Sequence, residues 1–63
     1  MKVKVGDVWL DRDGHHNLVL EVGEFNFYDT YNVVILTLET GTQWKSNNSA
    51  SFGEACYFYR IVA

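Results

Sequence analysis

Residues 31–44 have the sequence Tyr-Asn-Val-Val-Ile-Leu-Thr-Leu-Glu-Thr-Gly-Thr-Gln-Trp, which is a long β-branched and apolar run, a Thr-Gly step and the start of a second run. Val, Ile, Thr, Tyr and Trp favour a pleated, half-buried surface. Gly41 can supply the positive φ that a tight hairpin turn requires. The stretch therefore predicts a β-hairpin, with strands at about Tyr31–Glu39 and Thr42–Lys45.

Three further strands are predicted outside this hairpin. Period-2 alternation predicts a first strand with a bulge or bend at Gly6, a second strand after an Asp13-Gly14 turn, and a strand at the end of the chain. These strands cover about Lys2–Asp11, His16–Gly23 and Tyr57–Val62. Before the last strand we expect a polar loop and one short helical turn, at Ser46–Ser51 and Phe52–Cys56.

This order of elements predicts a single all-β domain over residues 1–63, namely a small five-stranded antiparallel SH3-like barrel with a short helical turn before the last strand. The alternation in the middle strands leaves the choice of the buried face open. In the second strand the two alternating sets are Leu18, Leu20 and Val22 against Asn17, Val19 and Glu21. In the third strand they are Val34, Leu36 and Leu38 against Val33, Ile35 and Thr37. Both sets of the third strand are apolar near its middle, which favours a central or strongly curved strand.

Composition limits the classes of protein to which the chain can belong. Cys56 is the only cysteine, so no internal disulfide is possible and a reducing compartment is expected. The N-terminal residues lack the apolar core of a signal peptide, and no run approaches the length of a membrane span, so we predict a cytoplasmic protein without a membrane partner. The net charge of −3 argues against non-specific nucleic-acid binding, which depends on Lys and Arg meeting phosphates.

The aromatic content points to a binding surface. A core of 63 residues cannot easily bury all ten aromatic rings, and exposed Tyr and Trp dominate interface hot spots. The predicted partner-binding residues are Phe25, Phe27, Tyr28, Tyr31, Trp44 and Tyr57. For Phe25 and Phe27 the favoured interpretation is that they plug the open end of the barrel. For Tyr28 and Tyr31 exposure and burial stay equally open.

No residue pattern indicates catalysis, a cofactor or a metal site. His15 and His16 follow Asp11 and Asp13, but adjacent residues at the start of a strand point to opposite faces and cannot easily share one ion. Cys56 is predicted to be a small buried apolar residue rather than a nucleophile. The carboxylates show no spacing that demands a catalytic pair, and the glycines form no phosphate-binding loop.

The residues of Gly6-Asp7-Val8-Trp9, followed by a turn and Leu18-Val19-Leu20-Glu21-Val22, resemble the opening of the PemK/MazF-type toxin barrel. That resemblance implies a small barrel. The family's ribonuclease chemistry depends on an Arg that begins the second strand, where this chain has His16-Asn17, so the activity is not expected to carry over.

The chain also resembles the short SH3-like proteins of bacteriophages, through residues 3–10, 36–41 and 57–62. Together these observations predict a non-enzymatic protein–protein interaction module that binds another protein or a second copy of itself. The phage resemblance implies a host-directed inhibitor or an accessory virion protein. The alternative is a barrel that binds single-stranded nucleic acid by stacking bases on its aromatic rings.

Overall fold

The computed structural model describes residues 3–25, 30–46 and 51–63. Its strands form one antiparallel sheet in the order β4-β3-β2-β1-β5. The bounds are β1 Val8–Asp11, β2 His16–Val22, β3 Val33–Thr37, β4 Thr42–Ser46 and β5 Phe58–Ile61. The prediction of an all-β, five-stranded antiparallel protein is confirmed.

The hairpin that the sequence predicts most strongly is formed by β3 and β4. Ile35 pairs with Trp44, and Thr37 pairs with Thr42. Gly41 has φ of 69°, and its backbone N–H donates to the Thr37 carbonyl over 2.8 Å. Glycine is favoured there because L side chains rarely adopt this left-handed conformation.

The first strand is shorter than predicted. Lys4 and Asp7 close a turn instead of extending the strand, because the Lys4 N–H donates to the Asp7 carboxylate over 2.8 Å and the Asp7 N–H donates to the Lys4 carbonyl over 3.1 Å. Gly6, with φ of 92°, allows the chain to reverse at this point. Strand β1 consequently begins at Val8, so the predicted strand is wrong over residues 3–7, and Lys2 lies outside the described residues.

The sheet is open rather than closed into a barrel. Strands β4 and β5 are its two edges. The predicted helical turn at Phe52–Cys56 is also absent, since this segment makes a single turn in which the Cys56 N–H donates to the Gly53 carbonyl over 2.9 Å. No helix in the described ranges has the length and apolar character needed to cross a bilayer.

The apolar core covers one face of the sheet. Phe52 and Phe58 stack with ring centres 4.4 Å apart, and Trp9 meets the Phe52 ring edge-on at 5.3 Å. Trp44 also stacks on Phe58, with ring centres 5.6 Å apart. The buried apolar residues are Val3, Trp9, Val19, Tyr31, Val33, Ile35, Phe52 and Phe58. The core therefore depends on residues outside the strands, Val3, Tyr31 and Phe52, as well as on the sheet itself.

The same face also buries a chain of polar side chains that crosses four strands. The Trp44 Nε1–H donates to Thr37 Oγ1 over 3.0 Å, and the Thr37 hydroxyl donates to Asn17 Oδ1 over 2.7 Å. The Asn17 amide donates to Asp11 Oδ2 over 3.0 Å and also to the Trp9 and His15 carbonyls. We refer to Asp11, Asn17, Thr37 and Trp44 as the polar chain. Each member satisfies the next, which removes the penalty for burying a polar group.

Candidate partner-binding surface

Phe25 is the most exposed aromatic ring in the described residues, with 57% of its surface accessible. It lies after β2, where the Gly23 N–H still donates to the Asn32 carbonyl over 2.8 Å. The interpretation of Phe25 as a plug is therefore wrong. Its ring is nevertheless held, because it meets the Tyr31 ring edge-on with centres 5.2 Å apart.

Tyr31 is buried, with 4% of its surface accessible. Its hydroxyl accepts a hydrogen bond from the Val3 backbone N–H over 3.1 Å, which ties the N-terminal residues to the start of the third strand region. A ring in this position cannot form the contact surface itself. The Tyr31 ring instead packs against the Phe25 ring and holds it in position.

Tyr57 is a second exposed ring, at 42% accessibility. Its hydroxyl donates to the Asp13 carboxylate over 2.6 Å, and its ring meets Phe58 edge-on at 4.9 Å. The hydrogen bond to Asp13 raises the pKa of Tyr57 to about 12, because only the neutral phenol can donate this bond to the carboxylate. The polar end of this ring is therefore engaged, while much of its apolar face is left to solvent.

Arg12 fixes the surroundings of Tyr57, and sequence analysis did not identify it. Its Nε donates to the Cys56 carbonyl and its Nη2 to the Glu54 carbonyl, both over 3.0 Å. Its guanidinium also lies 4.2 Å from the centre of the Tyr59 ring. These contacts join residues more than forty positions apart, so no local pattern could have signalled them.

The other predicted rings differ in position. Trp44 is half-buried and its N–H belongs to the polar chain, so it has a structural role in the fold. Phe27 and Tyr28 lie outside the described residues. Phe25 and Tyr57 sit at opposite ends of β2, since Phe25 follows its last residue and Tyr57 contacts the turn before its first. A seven-residue strand spans about 20 Å, so the two rings form separate sites.

Asp11, Asp13 and His15 bring three potential metal ligands within 4.8 Å of one another. The carboxylate of Asp11 is already used, because Oδ1 accepts from the backbone N–H groups of Asp13 and His15 and Oδ2 accepts from Asn17. Asp13 accepts from the Tyr57 hydroxyl. Hydrogen bonding within the β1–β2 turn accounts for this cluster. Cys56 is half-buried, more accessible than predicted.

His16 and Glu39 form a short hydrogen-bonded contact at the start of β2. The Glu39 carboxylate accepts from the His16 backbone N–H over 2.7 Å and lies 2.6 Å from the His16 ring nitrogen Nδ1. The hydrogen bond from the His16 ring, followed by that from its backbone, lowers the pKa of Glu39 from 4.5 to about 2. The contact connects the start of β2 to the β3–β4 turn.

Comparison of the chain with protein-family models, curated proteins and solved structures finds no match.

Proposed function

We propose that this protein is a non-enzymatic protein–protein interaction module of the cytoplasm, and that Phe25 is the principal contact residue. The observation that carries the proposal is the combination of exposure and support at this ring. Phe25 is 57% accessible, yet Tyr31 holds it edge-on at 5.2 Å. A ring held in place before binding loses less conformational freedom on association, so more of its contact energy contributes to affinity.

The charge of the chain suggests the chemistry of the partner. Glu24 is exposed beside Phe25, and the protein carries a net charge of −3. Tyr57 likewise lies against Asp13. Aromatic rings beside carboxylates suit a protein surface that presents apolar pockets with Lys or Arg around them.

The proposed fold is SH3-like in its strand order, of the bacteriophage type, with a curved but open sheet that packs on the core. The strand order β4-β3-β2-β1-β5 and the register shift between Val19 and Glu21 support it, because a bulge bends a strand and increases its twist. A phage origin would make the protein a host-directed inhibitor or an accessory virion protein.

Affinity capture from bacterial lysate tests the proposed function. The immobilised chain is compared with Phe25→Ala, with Tyr57→Ala and with the matched control Val5→Ala, which truncates an exposed side chain that is apolar but not aromatic. We expect a specific partner to be retained by the wild type and by Val5→Ala and to be lost by Phe25→Ala. Capture that persists in Phe25→Ala would contradict the proposal.

Single-stranded oligonucleotides in the same assay test the alternative. Arg12 is already hydrogen-bonded to two carbonyls and stacked on Tyr59, so we expect no retention at physiological salt. Retention that falls steeply with salt would favour the nucleic-acid alternative.

A further inference from the structure

The sheet has a second apolar face, opposite the core. In β1, β2 and β3 the residues that alternate with the buried ones are mostly Leu and Val. We call this set the outer face: Val8, Leu10, Leu18, Leu20, Val34 and Leu36. Its members are contiguous, since Val8 pairs with Leu18 and Leu18 pairs with Leu36 across neighbouring strands.

This face is unusual for an antiparallel sheet. Such sheets commonly pack one face on the core and present polar side chains to water on the other. Here Leu20 is 37% accessible, Leu38 just beyond β3 is 50% accessible, and the remaining outer-face side chains are partly accessible. A contiguous apolar patch of this kind on a small domain marks an interaction site.

The charges around the outer face indicate what covers it. Glu21 and Lys45 flank Val34 at one end, since both pair with it, and Arg60 pairs with Leu10 towards the other end, where Glu39 also lies beside His16. The two acids and two bases cancel, although the whole chain carries a charge of −3. A neutral rim with both signs suits a surface that meets a copy of itself, whereas a strongly charged partner would favour one sign.

The size of the face is also consistent with a dimer. The outer side of all five strands, with its polar rim on β4 and β5 included, covers on the order of 400 Å², since neighbouring strands lie about 4.8 Å apart and the chain rises about 3.3 Å per residue. Two facing copies would then bury about 800 Å², which is below the size of a standard specific interface and predicts a weak, transient dimer.

We infer that the outer face pairs two copies of this chain around a two-fold axis. An axis that runs across the strands places the end that carries Glu39 and Arg60 over the end of the other copy that carries Glu21 and Lys45, so ends of mixed charge meet on both sides of the apolar centre. The interface is isologous, as in most homodimers. Neither Phe25 nor Tyr57 belongs to the outer face, so dimerisation is independent of the proposed function.

Sedimentation velocity over a concentration series, from about 1 µM to about 500 µM, covers the affinities expected of an interface this small. We expect the wild type to shift from monomer to dimer in this range. Leu36→Lys places a charge at the centre of the face and should weaken the dimer at least about tenfold. Leu20→Lys, at a position already accessible to water, provides a second variant that the fold tolerates.

The matched control is Phe25→Ala, which should dimerise as the wild type does. Far-UV circular dichroism of each variant establishes that it is folded. A wild type that stays monomeric throughout the range would overturn the inference. So would a folded Leu20→Lys variant with an unchanged dissociation constant, or a dimer that Phe25→Ala abolishes while both Lys variants retain it.

Discussion

Two neighbouring rows of β2 and β3 show an inverted distribution of polarity. Asn17 pairs with Thr37 on the buried face of the sheet, and we call this pair the inner row. Leu18 pairs with Leu36 on the outer face, and we call this pair the outer row. Asn17 and Thr37 are joined by a 2.7 Å hydrogen bond and continue into the polar chain. Burial at this end of the sheet therefore follows completeness of hydrogen bonding as much as hydrophobicity. The outer leucines are left for contact with something beyond the chain.

The largest effect is expected from breaking the inner row at its centre. Asn17→Ala removes the amide that donates to Asp11 and to two carbonyls, and also the acceptor of the Thr37 hydroxyl. Several buried polar groups lose their partners, so the free energy of unfolding should fall by about 3 kcal/mol. Urea denaturation measures it. A loss no greater than that caused by Leu18→Ala would show that the two rows do not differ as described.

A smaller loss is expected one strand further along the polar chain. Thr37→Val keeps the shape of the side chain but removes the hydroxyl, which leaves the Trp44 Nε1–H and the Asn17 carbonyl oxygen without that partner. The free energy of unfolding should decrease by about 2 kcal/mol. The emission spectrum of Trp44 should shift in the same variant. Thr42→Val, on an exposed residue of β4, is the control and should have little effect.

A polar substitution in the outer row should cost the monomer little. Leu36→Thr retains a β-forming residue and removes a side chain that is only partly buried, so we expect a loss of about 1 kcal/mol or less. The measurement is urea denaturation at low protein concentration, where a dimer contributes nothing. A loss equal to that of Asn17→Ala would mean that Leu36 belongs to the core.

The smallest effect concerns the polar contact on the outside, His16–Glu39. The pKa of Glu39 is lowered from 4.5 to about 2, so the contact contributes stability above pH 4.5 that is lost as the pH falls through about 2. The free energy of unfolding of Glu39→Gln should therefore be lower than that of the wild type at pH 6, and the two values should converge near pH 2. NMR titration of the Glu39 carboxyl gives the pKa directly. A midpoint near 4.5 would show that the pair does not persist in solution.

The strands themselves could be predicted because alternation and turn residues are local signals, as the hairpin around Gly41 shows. The start of β1 could not, because it depends on a turn in which Asp7 captures the Lys4 N–H. The exposure of the rings was also beyond sequence reasoning. Phe25 and Tyr31 are chemically similar, and the burial of Tyr31 depends on a bond to Val3, 28 positions away.

The choice between the two faces of the sheet illustrates the same limit. By hydropathy alone, Leu18 and Leu36 are better core residues than Asn17 and Thr37. The inner face is decided by long-range contacts instead. Phe52 and Phe58 stack there, and Asn17 finds partners from several segments at once. Periodicity defines which residues share a face, but it does not say which face is covered.

The open sheet leaves the backbones of β4 and β5 at its two borders. A border strand is a template on which further chains can add by backbone hydrogen bonding, and this is how fibrils start. Lys45 and Arg60 each place a positive charge on one of these strands. These two cations therefore oppose edge-to-edge pairing of sheets, and with it aggregation, at both edge strands.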